Sequence, residues 1–216
     1  RVLFRSPLVR QGALGQQFIS QPGEGGQVVS RIDLHFSRDT GRAGLQVTGS
    51  GLIPMTSSLP LAPDIQSLAE SLWKQVEQKV SAHVATSTVK LDGEKPNVRS
   101  RETNLGDLVA DCFQAAIPSD LALINGGGIR SSIAGPAITI ADCLNVLPFD
   151  NNLYRLSLRG VSLKKVFQQV YQEIKTMPQF GGFLQVSKGV QVRYDSQGVS
   201  VKLNGKEISD DATYEV

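Results

Sequence analysis

The sequence predicts an α/β chain built around a mixed sheet, and three observations carry that expectation. Segments with period-two apolar alternation and segments with helical three-to-four-residue spacing follow one another along the chain. The apolar run Leu121-Ala122-Leu123-Ile124 suits a fully buried strand. Asn204-Gly205, set between alternating segments, is a two-residue hairpin signal.

The composition is compatible with this class and narrows the function. A chain of 216 residues with 40% hydrophobic and 19% charged residues is an ordinary globular one, with room for one large domain or one domain and part of another. Its 22 Lys and Arg against 20 Asp and Glu leave a net charge of +2, which argues against nucleic acid or an anionic membrane as partner. No apolar run reaches the roughly 18 residues that a membrane-spanning helix needs. Cys112 and Cys143 have no metal spacing, and the two histidines, His35 and His83, exclude a His-rich metal centre.

In chain order, Val28 to Phe36 alternates, with Ile32, Leu34 and Phe36 on one face of a half-buried strand and His35 toward solvent. Gly23 to Gly26 is a loop excursion before it. Asp39-Thr40-Gly41 is a turn, and Leu45-Gln46-Val47 returns as a second strand. Ser57 to Pro63 reads as a linker. Asp64 then caps a long amphipathic helix with Ile65, Leu68, Leu72, Val76 and Val80 as its stripe and Trp73 packing beside it. Further along, Ser87 to Leu91 is expected as a strand, and Asn104 as the cap of a helix that buries Leu105, Leu108, Val109, Cys112 and Phe113. Thr139-Ile140-Ala141-Asp142 has the form of a capping box, which places Cys143 in a short helix. Tyr154 to Leu158 alternates as a strand, Ser162 caps a further helix, and two strands around a Ser-Gln-Gly turn lead to the Asn204-Gly205 hairpin.

The residues able to carry chemistry gather at three places. Gly126-Gly127-Gly128 follows the buried strand between Asn125 and Arg130, so a closely approachable backbone lies between an amide and a cationic fork. This suits an anionic ligand with a base or sugar, and it equally suits a tight turn. Neither the dinucleotide fingerprint nor a P-loop is present. Arg99-Ser100-Arg101, taken as extended, puts two guanidinium groups on one side, either to clamp a phosphate or as a solvated face. Phe149 follows Pro148 at a helix end and is either a core ring or a stacking platform for a base.

As a set, Arg99-x-Arg101-Glu102-Thr103-Asn104-Leu105-Gly106-Asp107, Asn125-Gly126-Gly127-Gly128-Ile129-Arg130 and Val146-Leu147-Pro148-Phe149-Asp150-Asn151 closely resemble the C-terminal domain of the 5′-nucleotidase family, of the bifunctional metallophosphatase and UDP-sugar hydrolase type. Gly182-Phe183-Leu184-Gln185-Val186-Ser187 continues the resemblance. It implies a mixed-sheet α/β substrate-binding domain over 84–216. Before that domain come a linker and inter-domain helix over 58–83 and, over 8–57, the last strands of a metallophosphatase sandwich. Residues 1–7 resemble a translated sequencing-adapter tail and are expected to be a non-native leader, and the whole chain is expected to be a fragment.

By the same resemblance, Arg99 and Arg130 contact phosphate oxygens, Asn125 bonds the nucleoside, the backbone of Gly126, Gly127 and Gly128 approaches it, and Phe149 stacks on the base. Arg101 joins them as substrate-binding, with a structural role for one of the arginine pair as the alternative. The implied reaction is hydrolysis of nucleoside 5′-monophosphates, with UDP-sugars or cyclic nucleotides as further substrates. Water would be activated by two divalent metal ions held in an N-terminal domain whose metal motifs this chain lacks. The expectations are therefore a nucleotide partner, no metal bound by this chain, no activity of the chain alone, and a periplasmic, secreted or cell-surface location. The family's second aromatic ring and ribose-gripping acid belong to a segment beyond Val216. A stand-alone nucleotide-binding or interaction module is the competing expectation.

Overall fold

The computed structural model describes residues 8–12, 15–23, 25–39, 42–196 and 198–216. The expected leader, the centre of the turn at Thr40-Gly41, position 24 of the glycine cluster and Gln197 of the Ser-Gln-Gly turn lie outside the described residues. The chain divides into two compact units, Arg1–Ser71 and Leu72–Val216.

In the first unit, β1 (Leu8–Gly12) pairs antiparallel with β2 (Gly15–Ile19), and β3 (Val28–Asp39) with β4 (Arg42–Pro54). The register places Asp33 opposite Gly49 and Leu34 opposite Val47, which leaves Thr48 as a bulge. Its hydroxyl donates to the Asp33 carbonyl at 3.3 Å. The alternation is therefore a strand, as expected, but its apolar face is not half-buried: Ile32, Leu34 and Phe36 are all exposed. Periodicity reports the strand, whereas burial needs a second layer, which the described residues of this unit do not place over that face. Helix α1 (Pro63–Val80) corrects a similar expectation. It starts with Pro63 at its first position, has Asp64 in the first turn, and buries no residue. Trp73, expected to pack, is 62% exposed.

The second unit runs β5 (His83–Thr86), α2 (Lys95–Val98), α3 (Asn104–Ala116), β6 (Leu123–Asn125), β7 (Ala137–Thr139), α4 (Ile140–Val146), β8 (Ser157–Arg159) and α5 (Gly160–Thr176). It continues with β9 (Leu184–Val186), β10 (Val190–Asp195), β11 (Gly198–Leu203), β12 (Lys206–Glu207) and β13 (Thr213–Glu215). This is the expected α/β mixture, with its strands distributed over short antiparallel ladders: β5 with β7, β6 with β9, β8 with β13, and β10-β11-β12. Asn204 and Gly205 turn between β11 and β12 with φ of 50° and 79°, the left-handed pair that a type I′ hairpin requires.

Local side-chain hydrogen bonds explain where elements start and where an expected strand fails. Ser87 bonds both the carbonyl and the N–H of Val89, and this local turn replaces the strand expected at Ser87 to Leu91. Only Leu91 keeps a bridge, to Ile133. The cap of α3 is Thr103, whose Oγ1 accepts from the Gly106 N–H at 3.1 Å. Asn104 is spent one residue later on a loop closure, accepting from the Asp92 N–H and donating to the Lys90 carbonyl. Thr139 and Asp142 form a complete capping box on α4. Helix α5 begins at Gly160, before Ser162, where a β-carbon would come within 1.9 Å of the Ser209 carbonyl oxygen. Both cysteines are exposed; Cys112, expected in the core, misses it because α3 buries the narrower face of Leu105, Gly106, Val109 and Ala110.

Two apolar cores result. One gathers Val98, Leu105, Val109, Ile129, Ile133 and Val146, and the other Leu121, Leu163, Phe167, Val186, Val201 and Ile208. The β6-β9 ladder is the seam between them, because alternate side chains of a strand face opposite ways. Ile124 packs on the first core, while its neighbour Leu123, with Leu184 and Val186 of β9, packs on the second.

Helix α3 also carries Asp107, whose Oδ1 is buried with no hydrogen-bond partner among the described residues. Burial first, then the nearby Glu102 and Asp111 carboxylates, push this carboxyl up from 3.8 to about 6. A carboxyl that titrates higher folded than unfolded holds its proton better in the native state, so its contribution to stability falls as pH rises between those two values. Asp107→Asn should therefore raise the melting temperature more at pH 7 than at pH 4, and flatten the pH dependence in between. Melting curves of both proteins across that range check it; an equal difference at every pH would refute the assignment.

Candidate functional site

The seam ends in the glycine turn. Strand β6 finishes at Asn125, and Gly126–Gly128 turn at once in a single 3₁₀ turn. Two glycines are there for close packing. A β-carbon on Gly126 would lie 1.7 Å from the Val98 carbonyl oxygen, and one on Gly127 would lie 2.7 Å from the Gly181 carbonyl oxygen. Gly128 differs, since its nearest neighbours, Asn125 and Ile124, would sit at 3.5 and 3.7 Å, an ordinary contact. The turn is held by the Gly126 N–H donating to the Phe183 carbonyl (2.7 Å) and the Gly127 N–H donating to the Gly181 carbonyl (2.8 Å).

Around it the structure gathers most of the residues singled out by sequence. The Asn125 amide donates to the Gly181 carbonyl at 3.2 Å. The Arg99 guanidinium lies against Gly181 as well, with Nη1 3.7 Å from the position a β-carbon there would take. Arg130 approaches from the far end of the turn, donating to the Gly127 carbonyl at 3.4 Å. Its guanidinium carbon stands 5.8 Å from the centroid of the Phe149 ring, a cation–π contact. Phe149 is 52% exposed, which disfavours the core alternative for this ring. Asn125, Gly128 and Phe149 line one cavity of about 710 Å³, which also takes in Phe113, Asp150 and Asn152. Its size is that of a pocket for a small organic ligand.

Arg101 is the exception. The segment Arg99-Ser100-Arg101 is not extended: α2 starts at Lys95 with Pro96 in its first turn, and the Ser100 and Arg101 N–H groups both donate to the Asn97 carbonyl, which keeps the chain in a helical turn. The two arginines therefore do not share a strand face. Arg101 is paired with Asp92 at 3.0 Å. Asp92 in turn accepts from the Asn97 amide and the Glu94 N–H, so this arginine braces the loop.

Sequence reasoning missed two residues here. Gly181, which no motif singles out, supplies the carbonyl that Asn125 and Gly127 share. Gln185 is completely buried beside α3. The available signals were a Gly-Gly pair just after a helix and a polar residue inside the apolar run Phe183 to Val186.

Comparison with known proteins bears on this arrangement. Residues 83–216 match the family described as 5′-nucleotidase, C-terminal domain. The chain is 30% identical over 172 residues to the trifunctional nucleotide phosphoesterase protein YfkN of Bacillus subtilis, covering 76% of this chain and 12% of that protein. It is 26% identical to the 5′-nucleotidase of Vibrio cholerae, over 91% of this chain and 37% of that protein. The crystal structure of a 5′-nucleotidase precursor from Thermus thermophilus superposes with a TM-score of 0.65 at 27% identity, covering 97% of this chain and 43% of the other. This chain thus spans well under half the length of these proteins.

The two kinds of glycine make a direct test. Gly126→Ala should destabilise the protein by about 1 to 3 kcal/mol or more, the range for overpacking a tight site. Gly128→Ala should melt within a degree or two of the unaltered protein. Chemical denaturation of both variants decides; a Gly126→Ala protein of unchanged stability would show that Val98 is not held against the turn.

Proposed function

Because this chain belongs to the 5′-nucleotidase family, through the C-terminal domain matched over residues 83–216, we propose that it is the nucleotide-binding part of an enzyme that hydrolyses nucleoside 5′-monophosphates. The observation that carries the proposal is the convergence of Arg99, Asn125 and the Arg130–Phe149 pair on one glycine turn beside a ligand-sized cavity. In this reading Arg99 and Arg130 hold the phosphate by charge-assisted hydrogen bonds. Asn125 offers its amide to the nucleoside, and the half-exposed Phe149 ring stacks on the base. Gly126 and Gly127 allow the backbone to lie close, and Gly128 leaves the wall of the cavity open. Arg101 contributes by bracing the loop rather than by touching substrate.

Among the described residues no three His, Cys, Asp or Glu side chains come together as a metal site. The proposal places the two divalent ions, and the activated water, in an N-terminal domain supplied by a longer protein, and gives this chain the task of presenting the phosphate to them. It extends to UDP-sugars and cyclic nucleotides as further substrates, and to a periplasmic or secreted location. No helix among the described residues is long and apolar enough to cross a membrane.

Titration of this chain with AMP tests the proposal. Phe149→Ala should weaken AMP binding by about 1 to 3 kcal/mol, the range for losing base–aromatic stacking, with little change in melting temperature. A large loss of stability at unchanged affinity would return Phe149 to the core. Arg130→Ala should cost roughly 2 to 4 kcal/mol of AMP affinity, as for removing one partner of a charge-assisted contact. Equal binding of AMP by wild type and Arg130→Ala would remove this arginine from the site.

A further inference from the structure

Gln185 is the one fully buried residue in the β6-β9 seam with a polar side chain, and it lies opposite Ile124 in the register. Its neighbours Leu184 and Val186 face the second core, so the pleat sends Gln185 the other way, toward the start of α3. Both donors and the acceptor of its amide are engaged there. Nε2 donates to the Val98 carbonyl at 3.0 Å and to the Arg101 carbonyl at 2.7 Å, while Oε1 accepts from the Thr103 N–H at 2.9 Å. These groups lie on either side of Arg99 and Ser100, so one side chain holds both ends of the short loop that carries Arg99. Close packing keeps the amide in place: a β-carbon on Gly106 would sit 2.0 Å from Oε1.

A leucine at position 185 would satisfy the strand pair but leave the Val98 carbonyl and the Thr103 N–H buried without this partner, and the part-buried Arg101 carbonyl without its donor. The glutamine therefore answers a need of the loop and not of the ladder. Its strand is also the one bonded to the Asn125 strand, with Asn125 opposite Leu184. The amide thus ties the Arg99 loop to the elements that place Asn125 and the glycine turn. We propose that Gln185 is a positioning residue for phosphate recognition: it sets Arg99 at the distance from the Asn125–Gly128 turn at which a nucleotide phosphate is gripped. The inference rests on the nucleotide-binding reading above and adds the group on which the phosphate end of that site depends.

The experiment uses this 216-residue chain with two variants. Gln185→Met keeps the side-chain length and removes all three hydrogen bonds. Gln185→Asn keeps an amide in the strand with a shorter reach, and it carries the test where the methionine variant does not fold. Two readouts are taken: the NMR signal of the Arg99 Nε–H group without ligand, and the affinities for AMP and for adenosine. The expected result is a displaced Arg99 signal and AMP binding weakened roughly tenfold or more, the scale of loss when a binding group is misplaced. Adenosine, which has no phosphate, should bind as before. When Arg99→Ala is already present, the Gln185 substitution should have no further effect on AMP.

Equal weakening of AMP and adenosine would overturn the proposal in favour of a general structural role, as would a folded variant with an unmoved Arg99 signal or wild-type AMP affinity. Absence of AMP and adenosine binding by the unaltered chain would sink the nucleotide-binding reading itself. In that event the Arg99 signal alone decides whether Gln185 positions the arginine.

Discussion

The Val98 carbonyl oxygen occupies the space beside Gly126 where any other residue would carry its β-carbon. This contact is steric, and that is why so much follows from it. The loop after α2 can reach the end of β6 only if position 126 has no side chain, and once there it brings Arg99 to the same turn that Asn125 and Arg130 border. Gly127 repeats the device against Gly181 on the other side. Two bare α-carbons thus let three chain segments, distant in sequence, meet within one turn of backbone.

Electrostatics divides labour among the arginines in a way that composition conceals. Arg101 has its charge met by Asp92 inside a small hydrogen-bonded knot with Asn97 and Glu94. Arg130 has a π face and a backbone carbonyl as neighbours, and neither cancels a positive charge. Arg101 is committed to structure, while the contacts of Arg130, on the far side of the turn, are with a ring and a carbonyl rather than a carboxylate.

What the sequence made legible was chemistry that acts over a few residues. The Thr139–Asp142 box, the Asn204-Gly205 turn and the strand-to-glycine transition at Asn125 each depend on neighbours within about one turn of chain, and each is found where it was expected. The misreadings have a common origin in longer-range or competing effects. Arg99 to Arg101 looks extended until Pro96 is recognised as a first-turn helix residue. Asn104 is a sound cap candidate, displaced by Thr103 because its own amide closes a loop onto Lys90 and Asp92. Trp73 and the α1 stripe have helical spacing, but spacing says nothing about what stands opposite. Gln185 shows in the sequence only as a polar residue within the apolar run Phe183 to Val186, and its role is hidden because its three partners lie 82 to 87 positions earlier in the chain.

The seam has one more consequence. Three residue pairs join β6 to β9, a short ladder at the boundary where the two apolar cores meet. A ligand gripped from both sides of it, by Arg99 and by the turn that follows β6, would act as a reversible crosslink. Such a molecule adds stability in proportion to the logarithm of its concentration over its dissociation constant. The folded state and the occupied state then become thermodynamically coupled, and the protein would report the abundance of its ligand through its own resistance to unfolding.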